Sequence, residues 1–166
     1  GLQFDLRGRP ALSVQVGWQL KELVKTNPFV FHNAMADVLI LEKNLGIHYD
    51  DYRSIEDTML AHAVLWGELP HTLDFAASIY SDYPRLKHLA SEDLLLYNWG
   101  DVIATLFVFE ALLEDFHYHR PAEGVYRKQL LPLIPILLDA YKRGIRINKA
   151  RVLDVRPGLE RGMAQA

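Results

Sequence analysis

A chain of 166 residues and 19.1 kDa has room for one domain of ordinary size and part of a second, which excludes a complete multi-domain enzyme. Half of the residues are apolar and 11% are aromatic, enough for a packed core. With no cysteine, disulfide scaffolds, thiolate-bound zinc, iron–sulfur clusters and a cysteine nucleophile are all excluded, so any metal must be held by oxygen or imidazole. The longest runs free of Asp, Glu, Lys and Arg are eleven residues, Pro10 to Leu20 and Thr26 to Ala36, well short of the roughly 20 that a spanning helix needs. The expectation is a soluble, monomeric protein with no membrane partner, placed in the cytoplasm of a cell or infected host or, alternatively, in an organelle. The chain opens on Gly1 without a basic-then-apolar leader, which suggests a fragment.

The net charge of −3 conceals an asymmetry: residues 1–119 carry 8 Lys/Arg against 17 Asp/Glu, and residues 120–166 carry 10 against 4. In chain order, Leu2, Phe4 and Leu6 alternate with polar residues. Arg7-Gly8 supplies a turn and Leu12, Val14 and Val16 alternate again, which predicts a β-hairpin. Trp18 to Lys25 reads as a short helix, closed by Thr26-Asn27-Pro28. Phe29-Val30-Phe31 reads as a buried strand leading through His32-Asn33 into a helix that ends near Gly46. Ser54 to Asp57 opens a further helix as far as about Leu65, and His71 to Tyr80 is the next helical segment. Ser91-Glu92-Asp93 caps a long helix that runs to about Asp115. The fold class is α/β, a small mixed sheet flanked by helices. His117 to Gly124 breaks the pattern where the charge changes sign, dividing the chain into 1–118 and 119–166. Beyond it, Tyr126 to Arg143 is apolar at helical spacing but carries Pro132 and Pro135, so it is kinked or starts late, and Gly144 stops it.

Two carboxylates stand where a core is expected. Asp37 lies in Ala34 to Leu41, apolar nearly all round, where an ionised carboxylate costs several kcal/mol without a partner. Asn33 lies four residues earlier, hence on the same face, near a helix N-terminus that favours anions such as phosphate; alternatively Asn33 is a simple N-cap and Asp37 lies on a narrow solvated stripe. Asp101 precedes eight uncharged residues, with Tyr97 four before it. Two such pairs on separate helices suggest a shared cation, and oxygen ligands without sulfur point to Mg²⁺ or Mn²⁺.

Phe31-His32-Asn33-Ala34-Met35-Ala36-Asp37 and Tyr97-Asn98-Trp99-Gly100-Asp101 resemble the second and third motifs of the proofreading 3′–5′ exonuclease domain of family A DNA polymerases. Asp57-Thr58-Met59-Leu60, and His71 to Ala76 followed by Lys87, match the order of that domain. Leu131 to Leu137 and Arg143 to Asn148 resemble the entry into its polymerase domain. The resemblance covers essentially the whole chain and implies a ribonuclease H-like exonuclease fold with two divalent ions. It implies Asp37 and Asp101 as metal ligands, Tyr97 orienting the attacking water, Asn33 at the single-stranded 3′ end of DNA and Lys87 on phosphate. The basic tail, with Arg127, Lys128, Lys142, Arg143, Arg146 and Lys149, would meet primer-template DNA or simply be solvated surface. The family's first motif, Asp-x-Glu, occurs nowhere in the chain, which implies truncation upstream. RNase D-like exoribonucleases share the carboxylate and tyrosine set, and a degenerate domain kept for DNA binding or structure is the non-enzymatic alternative. Core or rim packing is expected of Trp18, Trp66 and Trp99 before base stacking, and solvation before metal ligation for His117 and His119.

Overall fold

The computed structural model describes residues 10–81 and 93–163. Its first element is a helix, α1 (Pro10–Thr26), so the second strand of the expected hairpin is absent; the first, Leu2 to Leu6, lies outside the described residues. The alternation over Leu12 to Val16 belongs to a longer pattern with a different period. Val16 and Val24 are buried two turns apart and Leu20 packs between them, which is helical spacing, while Pro10 suits the first turn, where its missing N–H costs nothing.

Chain direction then reverses into β1 (Pro28–Phe31), α2 (Ala34–Leu45), a 3₁₀ turn at Tyr49–Asp51, and β2 (Ser54–Asp57). The strands pair in parallel, from Pro28 opposite Ser54 to Phe31 opposite Asp57, so β1, α2 and β2 form one crossover unit. Gly46 ends α2 in the left-handed region at φ 64°, its N–H returning to the Glu42 and Leu41 carbonyls. Ser54 to Asp57 is thus a strand and not the opening of a helix. The helix α3 (Thr58–Leu65) begins three residues later than the sequence suggests, because Asp57 and not Ser54 caps it. The pairing of Ile55 and Asp57 with β1 decides this, a tertiary contact invisible to local pattern.

Two apolar clusters organise the rest. The first joins α1, α2 and the strands through Val24, Val38, Ile47 and Ile55. The second joins α3, α4 (Leu73–Tyr80) and α5 (Leu94–Tyr118) through Ala61, Ala76, Ala77, Ala104, Val108, Leu112 and Phe116. Asp93 caps α5, accepting from the Leu96 N–H at 2.9 Å. By length and composition alone α5 could cross a membrane; its Ala104, Val108, Leu112 and Phe116 spine is packed against α3 and α4, while Leu95, Val102, Leu106 and Phe107 are exposed.

After α6 (Arg120–Val125) the helix widens into a π turn at Tyr126–Leu130 and tightens again as α7 (Leu131–Arg143). Pro132 and Pro135 follow at once and lack the N–H groups a regular helix would use, which accounts for the late start. This segment closes both clusters: Tyr126 is stacked on Phe116 at 5.2 Å, and Ile134 and Leu138 are buried against the first cluster. Gly144, at φ 66°, ends α7, and α8 (Lys149–Met163) follows after an irregular link. The described chain is therefore mostly helical around a two-stranded parallel sheet, a mixed α/β arrangement.

Candidate functional site

A cleft of about 950 Å³ opens between β1, α2 and α5. Phe29, Val30 and Phe31 form its floor, Ile40 and Leu41 one wall, and Leu95, Trp99, Val102 and Leu106 the other. Asp37 enters from α2 and Asp101 from α5, so two helices separated by 48 residues bring both carboxylates to one cavity. Of the apolar residues around these acids in the sequence, Ile40, Leu41, Val102 and Leu106 line the cavity, whereas Ala34, Val38, Ala104 and Val108 are buried in the two clusters.

The two acids differ in setting. Burial, and then the negative charge of Asp57, hold the half-buried Asp37 carboxyl above the usual carboxylate range. Asp37 in turn contributes, after burial, to pushing the Tyr52 hydroxyl up to about 12. Asp101 is engaged by Tyr97, one helical turn earlier, whose hydroxyl is raised by the Asp101 charge and by their hydrogen bond. Tyr97 stands beside the cleft acid and not on the cleft wall itself.

Asn33 holds φ 73°, the only non-glycine residue in the left-handed region among the described residues. Asparagine tolerates that region better than most residues. It occupies the N-cap position of α2 but makes no side-chain cap, and since its backbone is not helical, a shared helix face with Asp37 does not follow. His32 is the neighbour that lines the cleft. Burial lowers the His32 pKa and keeps the ring neutral. Its Nε2–H donates to the His71 carbonyl at 2.9 Å, leaving Nδ1 facing the Thr58 hydroxyl at 2.8 Å. That hydroxyl also lies 3.1 Å from the Phe31 carbonyl.

The capping work expected of Asn33 falls to Asp57. At 2% exposure, its carboxylate accepts from the N–H groups of Asn33 (3.2 Å), Ala34 (2.8 Å), Met59 (2.9 Å) and Leu60 (3.1 Å), closing the starts of α2 and α3 together. The Asp57 N–H donates to the Tyr126 hydroxyl at 2.9 Å. That hydroxyl donates to Glu56 at 2.8 Å, and Arg127 pairs with the same carboxylate at 2.9 Å. Asp57 was visible in the sequence only as part of a matching stretch; its double role depends on the β1–β2 pairing.

Other expected contacts divide. Lys87 lies outside the described residues. Arg127 is paired with Glu56 and Glu123, Lys142 with Glu42 and Arg143 with Asp139, so much of the basic tail is neutralised by the chain's own acids. The tryptophans are not core residues: Trp18 is 66% exposed, Trp66 39% and Trp99 47%, and Trp99 lines the cleft. His117 Nδ1 meets Arg120 at 2.9 Å and the His119 ring packs edge-on to Trp66.

Asp37 and Asp101 offer the hard oxygen donors that Mg²⁺ or Mn²⁺ prefer. They suffice in kind and not in number: among the described residues no group of three or more His, Asp or Glu could hold a metal ion. No family model, curated protein or solved structure matches the chain.

Proposed function

We propose that the cleft is part of a 3′–5′ exonuclease site that trims the 3′ end of DNA, of the proofreading kind found in family A DNA polymerases, on a ribonuclease H-like fold. The observation that carries the reading is the convergence of Asp37 and Asp101 on one cavity, with Tyr97 bonded to Asp101. In this reading water attacks the terminal phosphorus in line, the P–O3′ bond breaks, and the released 3′ oxygen takes up a proton. Divalent ions, when bound, stabilise the attacking and leaving oxygens. Asp37 and Asp101 contribute anionic oxygens to hold them, Tyr97 fixes the Asp101 rotamer beside the water, and the exposed Trp99 face supports a terminal base by stacking. The apolar wall of Leu95, Val102 and Leu106 lowers the local dielectric, which strengthens each of these interactions.

The remaining acids of such a site, an Asp-x-Glu, are absent from these 166 residues, and β1 pairs on one edge only among the described residues, leaving the other edge open to a further strand. Two assays test the proposal. The 166-residue chain should show no chelator-sensitive degradation of single-stranded DNA with Mg²⁺ or Mn²⁺. A chain extended upstream to include an Asp-x-Glu should degrade it from the 3′ end, and Asp101→Ala in that chain should reduce the rate by about 10²-fold or more while leaving the fold intact. Unchanged rates in the mutant would refute the assignment, and an inactive extended chain that still binds DNA would favour a domain retained for binding.

A further inference from the structure

His62, on α3, has no exposed surface, and its Nδ1 lies 2.9 Å from Nδ1 of His71 in the link between α3 and α4. The rings meet edge-on at 5.1 Å, and the far nitrogen of His62, Nε2, is buried with no hydrogen-bond partner. Proton placement follows from these facts. Two facing nitrogens at that distance hold one proton between them. If His71 were the donor, His62 would carry its own proton on Nε2, a buried N–H with no acceptor. The arrangement without an orphaned donor has His62 Nδ1–H donating to His71, with both rings neutral. Any added proton spoils it: on His62 it creates the orphaned Nε2–H, and on His71 Nδ1 it sets two N–H groups against each other.

The pair is also mechanically placed. The His71 carbonyl is the acceptor for His32, which lines the cleft, and His71 precedes Thr72, the cap of α4. We propose that the His62–His71 pair is an acid-sensitive latch that pins the 66–72 link to α3 and, through the His71 carbonyl, fixes His32 in the cleft wall, releasing both as the pH falls. Burial and then the two neighbouring histidines, His71 and His32, lower the His62 pKa. Asp115 on α5 acts the other way, but its carboxylate already accepts from the Tyr80 hydroxyl of α4 at 2.7 Å. From the α6 side, Glu123, Arg127 and Tyr126 are engaged with one another and with Glu56, and at the start of α3 Asp57 is occupied by four N–H groups. The latch rests on these contacts alone and is independent of the exonuclease reading.

The test follows the histidine rings of the 166-residue chain by two-dimensional NMR between about pH 8 and pH 5, on either side of the ordinary histidine value, together with amide exchange. At the alkaline end His62 should be protonated on Nδ1 alone. On acidification the signals of both rings should change in one step as the His62–His71 bond breaks. Exchange of the 67–72 amides should rise about tenfold after correction for intrinsic rates, while α5 stays protected. His71→Asn, which can still accept from His62 but has no ring nitrogen to protonate, should weaken the pH dependence of that exchange, since His62 alone remains to take up a proton. A His62 ring protonated on Nε2 at pH 8, ring signals that change separately with no change in the link, or unaltered pH dependence in His71→Asn would each overturn the proposal. Should the variant not fold, the tautomer and the single step in the native chain decide alone.

Discussion

Asp37 illustrates how a carboxylate can oppose stability. Its pKa is raised in the folded chain by burial first and Asp57 second, so between the ordinary Asp value of about 4 and its folded value the native state binds more protons than the unfolded state. Stability then falls as pH rises through that interval, and at neutral pH the ionised group is destabilising. Asp37→Asn should raise the thermal midpoint at pH 7, and the gain should vanish as the pH falls below about 4, where the carboxyl is protonated in the folded and the unfolded chain alike. Thermal melts of the two proteins across that range check it; a variant less stable than the native chain at pH 7 would show that Asp37 has a structural partner. Asp37 was legible in the sequence because it is the one charge among the apolar residues from Ala34 to Leu41. Asn33 was not, because spacing of i and i+4 places two residues on one face only when both are helical, and its φ of 73° takes it out of the helix.

Element boundaries turn on Asp57. A single carboxylate closes the N-termini of two helices, so α2, α3 and the end of the β1–β2 ladder form one unit. Asp57→Ala orphans four N–H groups, two of them at each helix start, and should cost about 3 kcal/mol or more, since bonds to a charged acceptor contribute about 1.5–3 kcal/mol each and relaxation recovers part. Denaturant midpoints measure the loss; a change below about 0.5 kcal/mol, the level of an ordinary surface substitution, would mean that water replaces the carboxylate freely. The sequence made Asp57 look like an ordinary residue inside a helical opening, since Ser-x-x-Asp imitates a capping pattern. The helices α2, α4 and α5 were legible for the opposite reason: Gly46, Thr72 and Asp93 act on their own helices, within a few residues. The error over 12–16 has a similar origin, because five residues of alternation fit both periods and only Val16, Leu20 and Val24 together distinguish them.

For the molecule as a whole, the change of charge sign near residue 119 coincides with a helix end, while the packing runs straight across it. Tyr126 supplies the acceptor for the buried Asp57 N–H and stacks on Phe116, and Ile134 and Leu138 complete the cluster around Val38 and Ile55. By contrast α8 is exposed at every described position whose side chain is placed, and it makes no extensive contact with another element. Two truncations should therefore behave differently. Ending the chain after Gly144 should leave the unfolding midpoint within about 0.5 kcal/mol of the full chain, as expected for a change that removes no buried contact. Ending it after Tyr118 removes two fully buried aliphatic side chains, each worth about 2–5 kcal/mol when cut to alanine, and leaves the Asp57 N–H buried and unpaired. That loss rivals the 5–15 kcal/mol by which a domain of this kind is ordinarily stable, so the shorter chain should show no cooperative unfolding transition. A cooperative transition in the Tyr118-terminated chain would establish residues 10–118 as a unit that folds without α6 and α7, and would make the charge boundary a domain boundary as well.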